Sequence, residues 1–106
     1  TGIYEIEYQT LAYTSAAEAR YAASYIYVTT NNSNYYKRGR GYASVHQDSS
    51  QTTFSFGAKY IFDVTNTSTH KVYFSNLSEV STTLEHADLT NDIIRSYALF
   101  KKLGDT

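Results

Sequence analysis

The run Tyr35-Tyr36-Lys37-Arg38-Gly39-Arg40-Gly41-Tyr42 packs three cations, two glycines and three tyrosines into eight residues. Guanidinium and ammonium groups pair with carboxylate, sulfate or phosphate, and tyrosine rings stack on flat apolar surfaces while their hydroxyls reach polar partners. The run therefore predicts a contact made by Tyr35, Tyr36, Lys37, Arg38, Arg40 and Tyr42 at the tip of a hairpin. Its expected partner is the acidic surface of a neighbouring protein or an anionic glycan; the competing reading is a solvated hairpin. Base stacking between arginines and rings is a third chemistry open to such a run. The whole chain carries a formal charge of -1 and a pI of about 6.2, so no global field draws it to nucleic acid or an anionic membrane. The expectation is no nucleic-acid partner.

Catalytic chemistry has weaker carriers. Glu85-His86-Ala87-Asp88, with Glu79 and Asp92 nearby, offers oxygen and nitrogen ligands. An oxygen-bound divalent cation, however, wants carboxylates at tight alternate spacing around a turn glycine. The stretch Ser78 to Asp92 contains no glycine, and it reads as a solvated acidic loop or a weak strand. His46 and His70 stand beside turns and read as loop residues. Asp48 next to Ser49 and Ser50 has the residue types of a hydrolytic triad without any sign of its geometry. GxSxG, HExxH, P-loop and dinucleotide fingerprints do not occur, and the absence of cysteine excludes a thiol nucleophile or cysteine-bound zinc. The sequence thus predicts a protein that is not an enzyme, with no catalytic residues, metal or cofactor.

The elements that must position these groups are strands. Serine, threonine, asparagine and twelve tyrosines stand where a helical protein would carry glutamate, lysine, leucine and alanine. From Ile3 to Tyr13, Tyr4, Ile6, Tyr8, Thr10 and Ala12 alternate with Glu5, Glu7 and Gln9, which predicts a half-buried strand. Tyr21 to Thr30 places tyrosines on one face and Ile26 and Val28 on the other, so both faces should be covered. Asn31-Asn32-Ser33-Asn34 ends that strand in a turn, because asparagine tolerates left-handed backbone. A return strand is expected over Tyr42 to Val45. Thr52 to Val64 alternates most strongly, and its Phe54, Phe56, Tyr60 and Phe62 are expected in the core. Val72 and Phe74 should join them from a strand over His70 to Leu77, paired with Thr52 to Val64 as a second hairpin. Ile93 to Leu103 completes the set, with Phe100 in the core and apolar residues facing both ways, again as if both faces were covered. Ser15 to Ala23, with a capping-box spacing, and Thr83 to Leu99 can each also be drawn as a helix. Asn31, Asn66 and Asn76 head glycosylation-type triplets near expected turns.

The 106 residues suit a single domain over 1–106, and no apolar run approaches the roughly 18 residues that a membrane span needs. The chain has no methionine and enters a strand pattern at Ile3. This reads as a cut at Thr1, with the chain forming the C-terminal part of a longer one that carries a targeting, anchoring or stalk segment ahead of it.

The second half resembles the trimeric jelly-roll heads of phage fibres and capsid decorations, which are similar in shape to tumour necrosis factor and complement-head trimers. The residues that carry the resemblance are Phe54-Ser55-Phe56-Gly57-Ala58-Lys59-Tyr60-Ile61-Phe62-Asp63-Val64-Thr65-Asn66-Thr67-Ser68, then His70-Lys71-Val72-Tyr73-Phe74, and the ending Phe100-Lys101-Lys102-Leu103-Gly104-Asp105-Thr106. Lys101-Lys102, where such endings often carry arginine, and the alanine-rich Ser15 to Ala23 depart from the pattern. The resemblance implies an all-β, antiparallel jelly-roll sandwich assembled as a homotrimer, with first and last strands adjacent and doubly apolar strands along the three-fold axis. It further implies a non-enzymatic structural protein at a virion surface, or otherwise extracellular, in contact with copies of itself and with other virion proteins or a host surface glycan. A carbohydrate-binding or receptor-binding adhesin is the alternative.

Overall fold

The structure is a computed structural model, and it describes residues 1–14, 21–44, 52–78, 83–85, 87–88, 93–94 and 96–106. All regular structure among them is β: β1 (Gly2–Thr14), β2 (Tyr21–Thr29), β3 (Tyr36–Ser44), β4 (Thr52–Val64), β5 (Lys71–Ser78), the short β6 (Thr83–Glu85), β7 (Ala87–Asp88) and β8 (Ile93–Ile94), and β9 (Tyr97–Gly104). The two segments that could be drawn as helices carry no helix where they are described: Tyr21–Ala23 belongs to β2, and the second segment is taken up by β6, β7, β8 and the start of β9, with a bend at Ser96. Residues 15–20 lie outside the described residues.

Two antiparallel sheets make the molecule. The first has β1 at its centre, with β4 along one edge. The other edge of β1 is shared by β9, which pairs with Ile3 to Gln9, and β6, which pairs with Leu11 to Tyr13. Between those two ladders the Ser96 hydroxyl stands in for a strand partner, accepting from Leu11 N at 3.0 Å and donating to Leu11 O at 3.3 Å. The second sheet runs β3-β2-β5, and β7 pairs with β8 in a separate ladder. First and last strands, β1 and β9, are adjacent, as expected.

The alternation in β1 and β4 decides how the sheets pack. Because facing residues in an antiparallel pair share a face, the register Ile6↔Tyr60, Tyr8↔Ala58, Thr10↔Phe56 and Ala12↔Phe54 turns one set of side chains inward. β2 answers with Ala22, Ser24, Ile26 and Val28. Ile6, Ala58 and Phe62 from the first sheet meet Ile26 and Val28 from the second, with Tyr60, Val72 and Phe74 partly buried around them. Ala12, Phe54 and Phe56 pack on Ala22 at the other end. A polar bridge crosses the interior as well: Thr10 Oγ1 donates to Asn76 Oδ1, and Asn76 Nδ2 donates to the Tyr8 hydroxyl. Asn76 thus sits within β5 and faces inward, where the sequence suggested a turn.

The two edges of the sandwich differ. Where β3 crosses β4, Gly39 and Gly41 face inward without side chains, and the backbones come into contact; a Cβ on Gly41 would lie 1.6 Å from the Gly57 carbonyl oxygen. At the opposite edge, β5 and β9 stand apart. Tyr8 and Phe74 fill part of that space, with Phe74 meeting Phe100 edge-on at 6.0 Å. A cleft of about 230 Å³ remains there, lined chiefly by Tyr4, Ile6, Phe62, Val64, Val72 and Phe100.

Three expectations change. β4 and β5 do not form a hairpin: β4 pairs with β1, and β5 pairs with β2. Each has one apolar face, and those faces can meet only from opposite sheets. The loop between them therefore crosses the end of the sandwich, tightened by Asn66, whose carbonyl accepts from Thr69 N and His70 N. Phe100 is not a core residue but is 48% exposed, because β9 lies at a sheet edge and its inward side looks past the second sheet. For the same reason β9, expected to be covered on both faces, is exposed along its whole length except at Gly104.

Candidate functional site

The cationic run is not a hairpin tip. The tip is the Asn31–Asn34 turn, where Asn31 Oδ1 accepts from Ser33 N at 3.0 Å and Asn34 N at 2.8 Å, and Asn32 adopts a left-handed φ of 57°. Lys37 to Tyr42 instead lies along β3, an edge strand paired with β2. That pairing sorts the run by face. Gly39 and Gly41 turn toward the core opposite Ile26 and Ser24, while Lys37, Arg40 and Tyr42 turn outward opposite Tyr27, Tyr25 and Ala23. A register shift between Ile26 and Tyr27 leaves Arg38 without an opposite residue, the signature of a β-bulge, which re-aims a side chain.

On the outer face the cations lie on aromatic rings. Lys37 Nζ sits 3.9 Å from the centre of the Tyr25 ring and 5.8 Å from that of Tyr27. The Arg40 guanidinium lies 5.1 Å from the Tyr42 ring centre, and Arg38 lies at the same 5.1 Å from Tyr36. Each pair is attracted through the negative ring face. β5 extends the surface: Tyr73 stacks on Tyr27 at 4.6 Å and 8°, and Tyr35 leans on Tyr73 at 4.9 Å. Lys71, opposite Thr29 in the register, shares this face. Tyr25 is buried beneath it; desolvation, then the hydrogen bond with Tyr42, holds its phenol pKa above the ordinary tyrosine value.

The structure thus brings Tyr35, Lys37, Arg40 and Tyr42 onto one surface and sets Tyr36 with Arg38 beside it as a separate ring–cation pair. Sequence reasoning missed Tyr25, Tyr27, Tyr73 and Lys71. The alternation of β2 places Tyr25 and Tyr27 on a common face, but only the lateral pairing adds Tyr73 and Lys71 from a strand more than forty residues further along the chain. β2, β3 and β5 hold four cations and not a single aspartate or glutamate. The first sheet differs, mixing Glu5 and Glu7 with Lys59, Asp63 and Lys101.

Other candidates are less developed. His70 accepts or donates locally, with Thr69 Oγ1 3.1 Å from Nδ1 and Thr65 Oγ1 3.3 Å from Nε2, and its ring stacks on Phe62. This is a loop role. His46, Asp48, Ser49, Ser50, Glu79, His86 and Asp92 lie outside the described residues. Comparison with protein-family models, with curated proteins and with solved structures finds no match to this chain.

Proposed function

We propose that the chain is a non-enzymatic structural module that works by assembling with copies of itself, as a trimeric jelly-roll that decorates a virion surface or heads a fibre. The observation that carries the assembly is β9. Tyr97, Leu99, Phe100 and Leu103 are 39%, 51%, 48% and 47% exposed, and they emerge from both faces of an edge strand. Long, apolar, open edges recruit another chain, and soluble proteins usually guard them with charge, proline or a covering element. Here Lys101 and Lys102 provide charge, yet the apolar residues flank them on either side. A ring of three protomers, each setting this strand against its neighbour, covers the edge without leaving an open filament. The virion setting rests on the resemblance of the second half and the chain ending to phage heads.

Light scattering coupled to size exclusion tests the assembly. The expected result is three times the 12.0 kDa chain mass, with Leu99→Lys and Leu103→Lys together returning a folded monomer. A monomer of the unaltered chain at tens of micromolar overturns it. Electron microscopy of whole particles separates the two settings, since decoration requires many copies on a shell lattice and a fibre head requires few at a tip.

The second reading, a glycan-binding adhesin module, is favoured by a different feature, the aromatic and cationic face of β2, β3 and β5. The two readings are compatible, because that face and β9 belong to different sheets.

A further inference from the structure

We propose that the outer face of the β3-β2-β5 sheet binds an acidic polysaccharide, its uronate carboxylates or sulfates held by Lys37, Arg40 and Lys71, with Arg38 at the rim, and its sugar rings laid on Tyr35 and Tyr73. The inference rests on the adhesin reading and stands apart from assembly through β9.

Charge complementarity is the first argument. The three strands hold four cations and no carboxylate, and no ion pair joins Lys37, Arg38, Arg40 or Lys71 to an acid among the described residues. A surface protein ordinarily intersperses signs, so a single-sign sheet face marks a site for the opposite charge. That sign is concealed in the chain total of -1.

Preorganisation is the second argument. Lys37, Arg38 and Arg40 each already rest on a ring at 3.9 to 5.1 Å. Such a contact limits the rotamer freedom that long cationic side chains would otherwise lose on binding. The guanidinium edges remain available, and two donors in a fixed fork match a carboxylate.

Nucleic acid suits the surface less well than a sugar polymer. A single strand needs a basic groove that tracks its backbone and several open ring faces in a row for successive bases. This surface is the face of a sheet; the rings of Tyr36 and Tyr42 have a guanidinium over them and Tyr27 stacks on Tyr73, which leaves Tyr35 and part of Tyr73 to a ligand. A sugar polymer asks for less: a C–H face on an exposed ring, an anion at each cation, and partners for its many hydroxyls. Tyr35 and Tyr73, exposed by 37% and 43%, supply the rings, and the tyrosine hydroxyls supply partners.

The test is calorimetric titration of the full chain with alginate oligomers, alongside neutral dextran and poly(dT). The expected pattern is saturable binding to alginate and none to dextran, weakened about tenfold by Lys37→Gln with Arg40→Gln. Tyr35→Ala, which keeps every charge, should weaken binding about fivefold through lost stacking. Lys59→Gln removes a charge from β4, on the other sheet, and should leave affinity within about twofold. Absence of alginate binding, tighter binding to poly(dT), or a loss from Lys59→Gln equal to that of the double variant would each overturn the proposal. Circular dichroism of each variant separates unfolding from loss of the site, with Arg40→Gln alone as the milder check. None of these outcomes bears on the mass of the assembly, which the β9 variants read.

Discussion

Gly41 on β3 and Gly57 on β4 touch backbone to backbone across the two sheets, so closely that a Cβ at position 41 would stand 1.6 Å from the Gly57 carbonyl oxygen and 2.5 Å from its carbon. Packed sheets ordinarily sit about 10 Å apart because side chains fill the gap. At this edge Gly39 and Gly41 remove them, so the sandwich closes on the side that carries the cationic run. The same closure holds β3 in place, and thereby the register that turns Lys37 and Arg40 outward.

Gly41→Ala is therefore expected to destabilise the fold by about 3 kcal/mol or more, since the obstructing atoms are backbone and cannot rotate away. Gly104→Ala is the control: a Cβ there meets nothing within 4 Å, and its effect should stay within about 0.5 kcal/mol. Urea denaturation followed by circular dichroism measures both. Equal midpoints for the two variants would contradict the close approach.

The Asn31 turn offers a second test. Its side-chain oxygen accepts from Thr29 Oγ1 as well as from Ser33 N and Asn34 N, and Asn32 N donates across to Thr69 O at 2.9 Å, docking one loop on the other. Asn31→Ala should cost about 1 to 2 kcal/mol through these lost partners. Asn32→Gly should be nearly neutral, because glycine adopts the left-handed backbone freely, whereas Asn32→Val should cost about 1 to 2 kcal/mol. The comparison of the three denaturation midpoints checks the geometry of the turn.

Alkaline titration reports on Tyr25. Burial, and then the hydrogen bond with Tyr42, raise its pKa in the folded chain, so the folded state keeps a phenol proton that the unfolded state has released. Stability from this group is complete below the ordinary tyrosine pKa of about 10 and falls as the pH climbs from there through the raised folded value. Melting temperatures between about pH 8 and pH 11 should decline less steeply for Tyr25→Phe than for the unaltered chain, with exposed Tyr36→Phe as the reference. Identical slopes would mean that Tyr25 is not buried as described.

Sequence alternation alone determined which residues of β1, β2, β4 and β5 share a face, because successive side chains in an extended strand point to opposite sides whatever the strand pairs with. It also placed the turn at Asn31 to Asn34, since that depends on local backbone preference. It could not determine lateral neighbours. Whether β4 pairs with β5 or with β1 is decided by which apolar faces can meet across a core, and that is a property of the closed sandwich. The same limit explains the two largest departures. The cationic run read as a loop because its two glycines look flexible in one dimension, yet in the folded chain they are what lets β3 approach β4. β9 looked doubly covered because its residues are apolar on both sides, but among the described residues it pairs with β1 alone, and only the tertiary arrangement shows it as an exposed edge. The aromatic face that gathers Tyr25, Tyr27 and Tyr73 around Lys37 belongs to neither segment alone; register created it.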